Sequence, residues 1–225
     1  MPVMDEFKEE RERIKTASFR EKWKYFKDYY LKWVLGILFG IIVLISFIVS
    51  IVTKKEEVLH VSLINFNPLE NEAAEVQEAF SEKYLIDTKK QQVIVDTSMH
   101  IAAGTVSDNS FMKYSYEDEQ KLMALVLTNG TDLVISGQDV LEKYMQNGWF
   151  CSLREVLDED VIRKYAEEDR VLYYEGEPAA IRMDEAQLFK KNYFYIGEGE
   201  PELYAGFVYG SQHADLAKAF LEFVQ

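Results

Sequence analysis

Cysteine is almost absent from this chain of 225 residues, in which Cys151 stands alone. No internal disulfide can form, so any folded domain must be held by its core; a free buried thiol is the expected state of Cys151, rather than a redox centre or a lipid-attachment site. Histidine is nearly as scarce. His60, His100 and His213 lie far apart, and with no HExxH pattern and one cysteine a zinc site is not expected. No glycine-rich phosphate loop follows a candidate strand, and no G-x-S-x-G occurs. Positive charge is also in short supply, with 25 Lys and Arg against 39 Asp and Glu and a formal net charge of −14. The clusters Asp158-Glu159-Asp160 and Glu167-Glu168-Asp169 read as solvated helix surface rather than as paired catalytic carboxylates. The expectation is a protein without enzyme activity, metal or cofactor.

What the chain does have is one uninterrupted apolar run, Val34 to Val52, preceded by Tyr29, Tyr30 and Trp33 and followed by Lys54 and Lys55. Its nineteen residues span roughly 28 Å as a helix, close to the hydrocarbon thickness of a bilayer. A cleaved signal peptide would have a shorter core and a small-residue cleavage site, and Ser50-Ile-Val-Thr-Lys-Lys offers none. An uncleaved, single-pass signal anchor is expected. Arg20, Lys22, Lys24, Lys27 and Lys32 before the run outnumber Lys54 and Lys55 after it, which predicts a cytoplasmic N-terminus in the plasma membrane and an extracytoplasmic remainder.

Charge divides along the same line. Residues 1–33 carry nine Lys or Arg against seven Asp or Glu, whereas residues 56–225 carry fourteen against thirty-two, a net −18. So acidic a domain repels nucleic acid and anionic lipid, and neither is expected as its partner. The predicted organisation is a cytoplasmic tail and juxtamembrane amphipathic helix over 1–33, the transmembrane helix over 34–53, a linker over 54–57 and an α/β domain over 58–225.

Ser18-Phe19-Arg20-Glu21 has the S-x-x-E spacing of a capping box and predicts a helix start. From there Phe19, Trp23, Phe26, Tyr30 and Trp33 recur at helical spacing, an aromatic seam leading into the span. Such a seam anchors a chain at the headgroup level or docks a helix of a membrane-protein partner. Residues 5–15 form a mixed-charge run, read as a solvated helix or tail. Within the span, Gly36 and Gly40 form a GxxxG pair, a candidate dimer face.

Beyond the span the pattern alternates. Val58–Phe66 reads as a buried strand, Leu69–Tyr84 as a helix, Gln92–Asp96 as a second strand, residues 100–116 as a loop and Glu117–Leu127 as a helix ended by Asn129-Gly130. Asp132–Ser136 is a third strand and Gln138–Met145 another helix. Repeated βα units predict an α/β fold, a mainly parallel sheet with helices on both faces. Leu157–Tyr165 reads as a short helix, Val171–Tyr174 and Ala179–Met183 as a hairpin around Glu175–Pro178, Asp184–Lys191 as a brief helix, and Leu203–Tyr209 as a last strand before a helix over His213–Val224. Asn129-Gly130-Thr131 matches a glycosylation sequon, relevant only on a eukaryotic secretory route.

Asp132-Leu133-Val134-Ile135-Ser136-Gly137, the helix after it, and Gly148-Trp149-Phe150-Cys151-Ser152-Leu153 together resemble a bacterial extracellular solute-binding protein of the type II periplasmic class. The ending, Tyr204-Ala205-Gly206-Phe207-Val208-Tyr209 followed by Ala214–Val224, is similar to that family's late strand and closing helix. The resemblance covers roughly residues 58–225 and implies one lobe of that fold. Family members run to about twice this length and trap solute between two lobes, so the second lobe is expected to be missing, and with it the clamp. The span stands where the family usually carries a lipid anchor.

In open parallel sheets a ligand site lies beyond the C-terminal strand ends. That rule selects Asn65 and Asn67 after the first strand and Ser136, Gly137 and Gln138 after the third, with Trp149 as a stacking face. The expected function is a membrane-anchored, non-enzymatic binding or interaction module. The alternatives are the substrate-binding component of an ABC-type transporter, with a small solute as partner, and a structural or assembly subunit of a membrane complex.

Overall fold

The computed structural model describes Lys15 and residues 17–66, 72–102, 109–183 and 202–225. Asn67, the Asp184–Lys191 helix and most of the mixed-charge run lie outside the described residues. The chain divides into two compact units, residues 1–54 and 55–225.

In the first unit α1 (Phe19–Tyr25) passes through a π-helical turn (Phe26–Tyr30) into α2 (Leu31–Val52). The Glu21 carboxylate accepts the Ser18 backbone N–H at 3.0 Å and its hydroxyl at 2.9 Å, which satisfies an otherwise free donor at the helix start. In the π turn the Leu31 N–H reaches back to the Phe26 carbonyl, a hydrogen bond one residue longer than the α-helical one. The rings of Trp23 and Phe26 stack at 5.8 Å, and those of Phe26 and Tyr30 at 6.4 Å. Leu31–Ile51 is long and apolar enough to cross a membrane, and none of it is buried. Thr53 closes the helix, its hydroxyl donating to the Val49 carbonyl at 2.7 Å.

The second unit runs β1 (Glu56–Leu63), α3 (Glu72–Lys83), β2 (Gln91–Asp96), α4 (Asn109–Leu127), β3 (Leu133–Gly137), α5 (Gln138–Met145), α6 (Glu159–Glu167), β4 (Val171–Tyr174), β5 (Glu177–Arg182), β6 (Leu203–Phe207) and α7 (Ala214–Val224). The six strands form one sheet in the order β2-β1-β3-β6-β5-β4. Side chains alternate across it. Leu133, Ile135, Leu203, Ala205 and Phe207 pack on one face with Phe80 of α3, Ile162 of α6 and Phe220 of α7, whereas Val134, Tyr204 and Val208 pack on the other with Leu122 of α4 and Leu141 of α5. Phe80, fully buried, is the centre of the first layer, its ring 4.5 Å from Tyr84, 5.2 Å from Phe220 and 5.5 Å from Phe223.

Two expectations change. The sheet is mixed rather than mainly parallel: β1 pairs in parallel with β2 and β3, but β3–β6, β6–β5 and β5–β4 are antiparallel. The reason is local at one end, where Glu175 (φ 51°) and Gly176 (φ 86°) make a two-residue hairpin turn and leave Pro178 inside β5, opposite Tyr173. It is tertiary at the other, where β6 enters between β3 and β5. Helix α4 also begins at Asn109, through residues read as loop. A tertiary contact stands behind that extension, for Ser115 is buried and its hydroxyl accepts the Ala102 N–H at 2.9 Å.

Candidate functional site

The C-terminal ends of β1 and β3 bring together four of the residues selected from sequence. Asn65 sits at φ 66°, a left-handed conformation asparagine tolerates. Its side chain clasps Ile101 from both sides, Nδ2 donating to the carbonyl at 2.9 Å and Oδ1 accepting the N–H at 2.7 Å. Ser136 is fully buried and its hydroxyl donates to the Ile64 carbonyl at 3.4 Å. Gly137 caps α5 in an extended conformation, and Gln138 donates through Nε2 to Glu142 at 2.7 Å. The side chains of Asn65, Ser136 and Gln138 are thus committed to partners within the fold.

Trp149 lies at the opposite end. Helix α5 carries the chain from the end of β3 back toward its start, where the Trp149 carbonyl accepts the Tyr209 N–H at 2.9 Å and the neighbouring Val208 N–H reaches the Asp132 carbonyl at 3.0 Å. The Trp149 ring stacks on Tyr144 at 4.5 Å, nearly parallel, as part of the core rather than as an open platform.

A polar cluster under α4 was not selected from the sequence. Its signal was there, in His60 and Ser62 interrupting the apolar run Val58 to Ile64. Both are buried. The His60 ring nitrogens have no hydrogen-bond partner; Nδ1 lies 3.8 Å from Glu57 and Nε2 3.9 Å from Asp96 Oδ2. Burial lowers the His60 pKa below its ordinary value, against the pull of Asp96, Glu57 and Asp132. Burial pushes the Asp96 carboxyl up, but hydrogen bonds from Lys121 and Ser98 outweigh it and hold the group below the usual carboxylate range. Lys121 of α4 donates to Asp96 Oδ2 at 2.7 Å and to Ser98 Oγ at 2.6 Å, and Ser98 donates to Asp96 Oδ1 at 2.6 Å.

A second constellation surrounds Asp132. Ser211 donates to its Oδ1 at 2.7 Å, and His213 Nδ1 lies 3.3 Å from the same oxygen. His213 donates to the Ser211 hydroxyl through its backbone N–H, at 3.1 Å. The carboxylate stands between hydroxyl and imidazole instead of behind the imidazole, unlike a hydrolytic triad. Cys151 is buried with Sγ 3.5 Å from the Phe207 carbonyl, and burial, with Glu155 beside it, pushes its thiol up to about 11. It is a protonated, poorly nucleophilic thiol at neutral pH. Among the described residues no group of three His, Cys, Asp or Glu could hold a metal ion.

In the first unit the seam is open to its surroundings: Phe19 is 83% exposed, Trp23 59% and Trp33 75%, with Tyr30 also exposed and Phe26 half-buried. A side chain at Gly36 or Gly40 would meet nothing within 4 Å, and a shallow depression beside Gly36 is lined by Lys32, Trp33 and Ile37. No protein-family model matches the chain, and no curated protein matches it.

Proposed function

We propose that this protein is a membrane-anchored, non-enzymatic interaction module: α2 spans the plasma membrane with the N-terminus cytoplasmic, and the acidic α/β unit, akin to one lobe of a solute-binding protein, meets a membrane-protein partner outside. The observation that carries the reading is the apolar helix Leu31–Ile51, none of it buried, joined through Thr53, Lys54 and Lys55 to β1. An unburied helix of that length needs a hydrocarbon environment. Five basic residues before the run against two after it support the orientation. The parallel β2-β1-β3 core, with α3 and α4 as its crossovers, supports the likeness to a lobe.

Interaction is favoured over solute capture because Asn65, Ser136 and Gln138, the groups a solute would need at the strand ends, are bonded to Ile101, Ile64 and Glu142. A thermal-shift screen of the full-length protein in detergent against sugars, amino acids and short peptides tests this ordering. No stabilisation is expected, and a solute that raises Tm would favour the transporter component instead. For the assembly role, cross-linking of the full-length protein in its membrane is compared with a Phe19, Trp23, Phe26 and Tyr30 to Ala variant. The same cross-linked partners in both would remove the seam from the interaction.

A further inference from the structure

The buried cluster beneath α4 is independent of what the domain binds. His60 on β1 presents Nδ1 to Glu57 on its own strand and Nε2 to Asp96 at the end of β2, at distances too long for hydrogen bonds, while Asp132 at the start of β3 binds the His60 backbone. The Asp96 oxygen that faces His60, Oδ2, is the one that holds Lys121 of α4. Imidazole and ammonium are therefore aimed at a single oxygen. Their surroundings differ: the His60 side chain is 10% exposed and that of Lys121 44%.

The chain after β2 is fastened beside that hub, mainly to the same helix. Ser98 binds both Asp96 and Lys121, the His100 N–H donates to Asp118 at 2.7 Å, the Ala102 N–H donates to Ser115, and Ile101 is clasped by Asn65. Residues 97–102 form a strap tied mainly to α4 at the strand ends.

We propose that His60, Asp96 and Lys121 form a proton-operated latch that fastens α4 and the 97–102 strap to the sheet. With His60 neutral, Lys121 holds Asp96 Oδ2 and the latch is closed. A proton on the imidazole makes it a second cation facing the same oxygen and facing Glu57. The buried imidazolium has no water to turn to, whereas Lys121 does, so Lys121 yields. Ser98 loses its amine partner, α4 loses its ion pair to the sheet, and the strap loosens.

Hydrogen exchange on the full-length protein in nanodiscs tests the latch, with rates at about pH 7.5 and about pH 5 each corrected for intrinsic exchange. Peptides covering 96–102 and 115–127 should exchange about 10-fold faster at the acid pH, while those of α7 stay unchanged. His60→Gln, which cannot charge, should abolish the difference; Lys121→Gln should exchange fast at both pH values. Equal acid acceleration in His60→Gln, or none in the natural protein, would overturn the proposal. Should His60→Gln not fold at neutral pH by circular dichroism, NMR titration of the His60 ring in the natural protein decides. Ring signals that titrate while the Ser98 and Lys121 resonances stay fixed would overturn it equally.

Discussion

Asp132 accepts the backbone N–H of His60 through Oδ2 at 2.8 Å, so a side chain at the start of β3 satisfies a buried donor in β1. The other oxygen takes Ser211 and faces His213, the residue that caps α7. One carboxylate, 2% exposed, ties β1 to the entry of the last helix. Asp132→Ala leaves the His60 N–H and the Ser211 hydroxyl without this acceptor, and a loss of about 3 kcal/mol is expected from the hydrogen bonds to charge alone. Urea unfolding of the full-length protein in detergent measures it; a loss within experimental scatter would show that water replaces the carboxylate.

Gly206 in β6 faces the Phe150 ring so closely that a Cβ there would lie 2.9 Å from the nearest ring carbon. Gly206→Ala should cost about 2 kcal/mol by overpacking. The Gly206→Ala, Phe150→Leu double variant should recover part of that, with a coupling of about 1 kcal/mol in a double-mutant cycle. Strict additivity would place the cost in the backbone rather than in the ring contact.

Asn65 serves the fold in two ways, through its left-handed backbone and its clasp on Ile101. Asn65→Gly keeps the first and loses the second; Asn65→Ala loses both. The alanine variant should be less stable than the glycine variant by about 1 kcal/mol, with both below the natural protein. Comparison of their Tm values checks the order, and equal values would remove the backbone contribution.

Stability should respond to pH in two separate windows. The lowered pKa of His60 means that the folded state binds this proton less readily than the unfolded chain, so its effect is absent above the unfolded value of 6.5 and destabilises progressively below it. Asp96, also lowered but an acid, contributes stability above its unfolded value of 3.8 that is lost as pH falls through the lower folded value. The unfolding free energy from urea titrations should decline below about pH 6.5 with a slope of at most about 1.4 kcal/mol per pH unit from His60. That decline should vanish in His60→Gln, while the acid step remains.

Ile42 lies mid-way along the unburied apolar helix. Ile42→Arg should cost about 3 kcal/mol of membrane insertion, and more of the protein should be released from membranes by alkaline extraction. Unchanged retention would mean that the segment does not cross the bilayer.

Periodicity made the elements of the second unit legible. The spacings of Val76 and Phe80 mark α3, and the wholly apolar Leu133-Val134-Ile135 marks β3, because a buried face repeats in sequence with the period of its backbone. The direction in which β6 runs was not legible, since an antiparallel and a parallel buried strand carry the same apolar run. Nor was the start of α4 at Asn109, where Ser115 meets Ala102 across thirteen residues of chain. Of the candidate site, the placement of Asn65, Ser136, Gly137 and Gln138 at one edge followed from the βα order. Trp149 did not follow, because adjacency to α5 in sequence says nothing of which end of the helix it joins.

The sequence by itself determined the long apolar helix, the aromatic seam before it, the acidic balance after it and the alternation of strands and helices. Each is a local or additive property of the chain, readable from composition and period. Tertiary structure alone decided the mixed sheet, the commitment of Asn65 and Ser136 to backbone partners, and the meeting of His60, Asp96 and Lys121 around one oxygen. Those three residues lie on β1, β2 and α4, and only the packing of α4 on the sheet brings their charges within range.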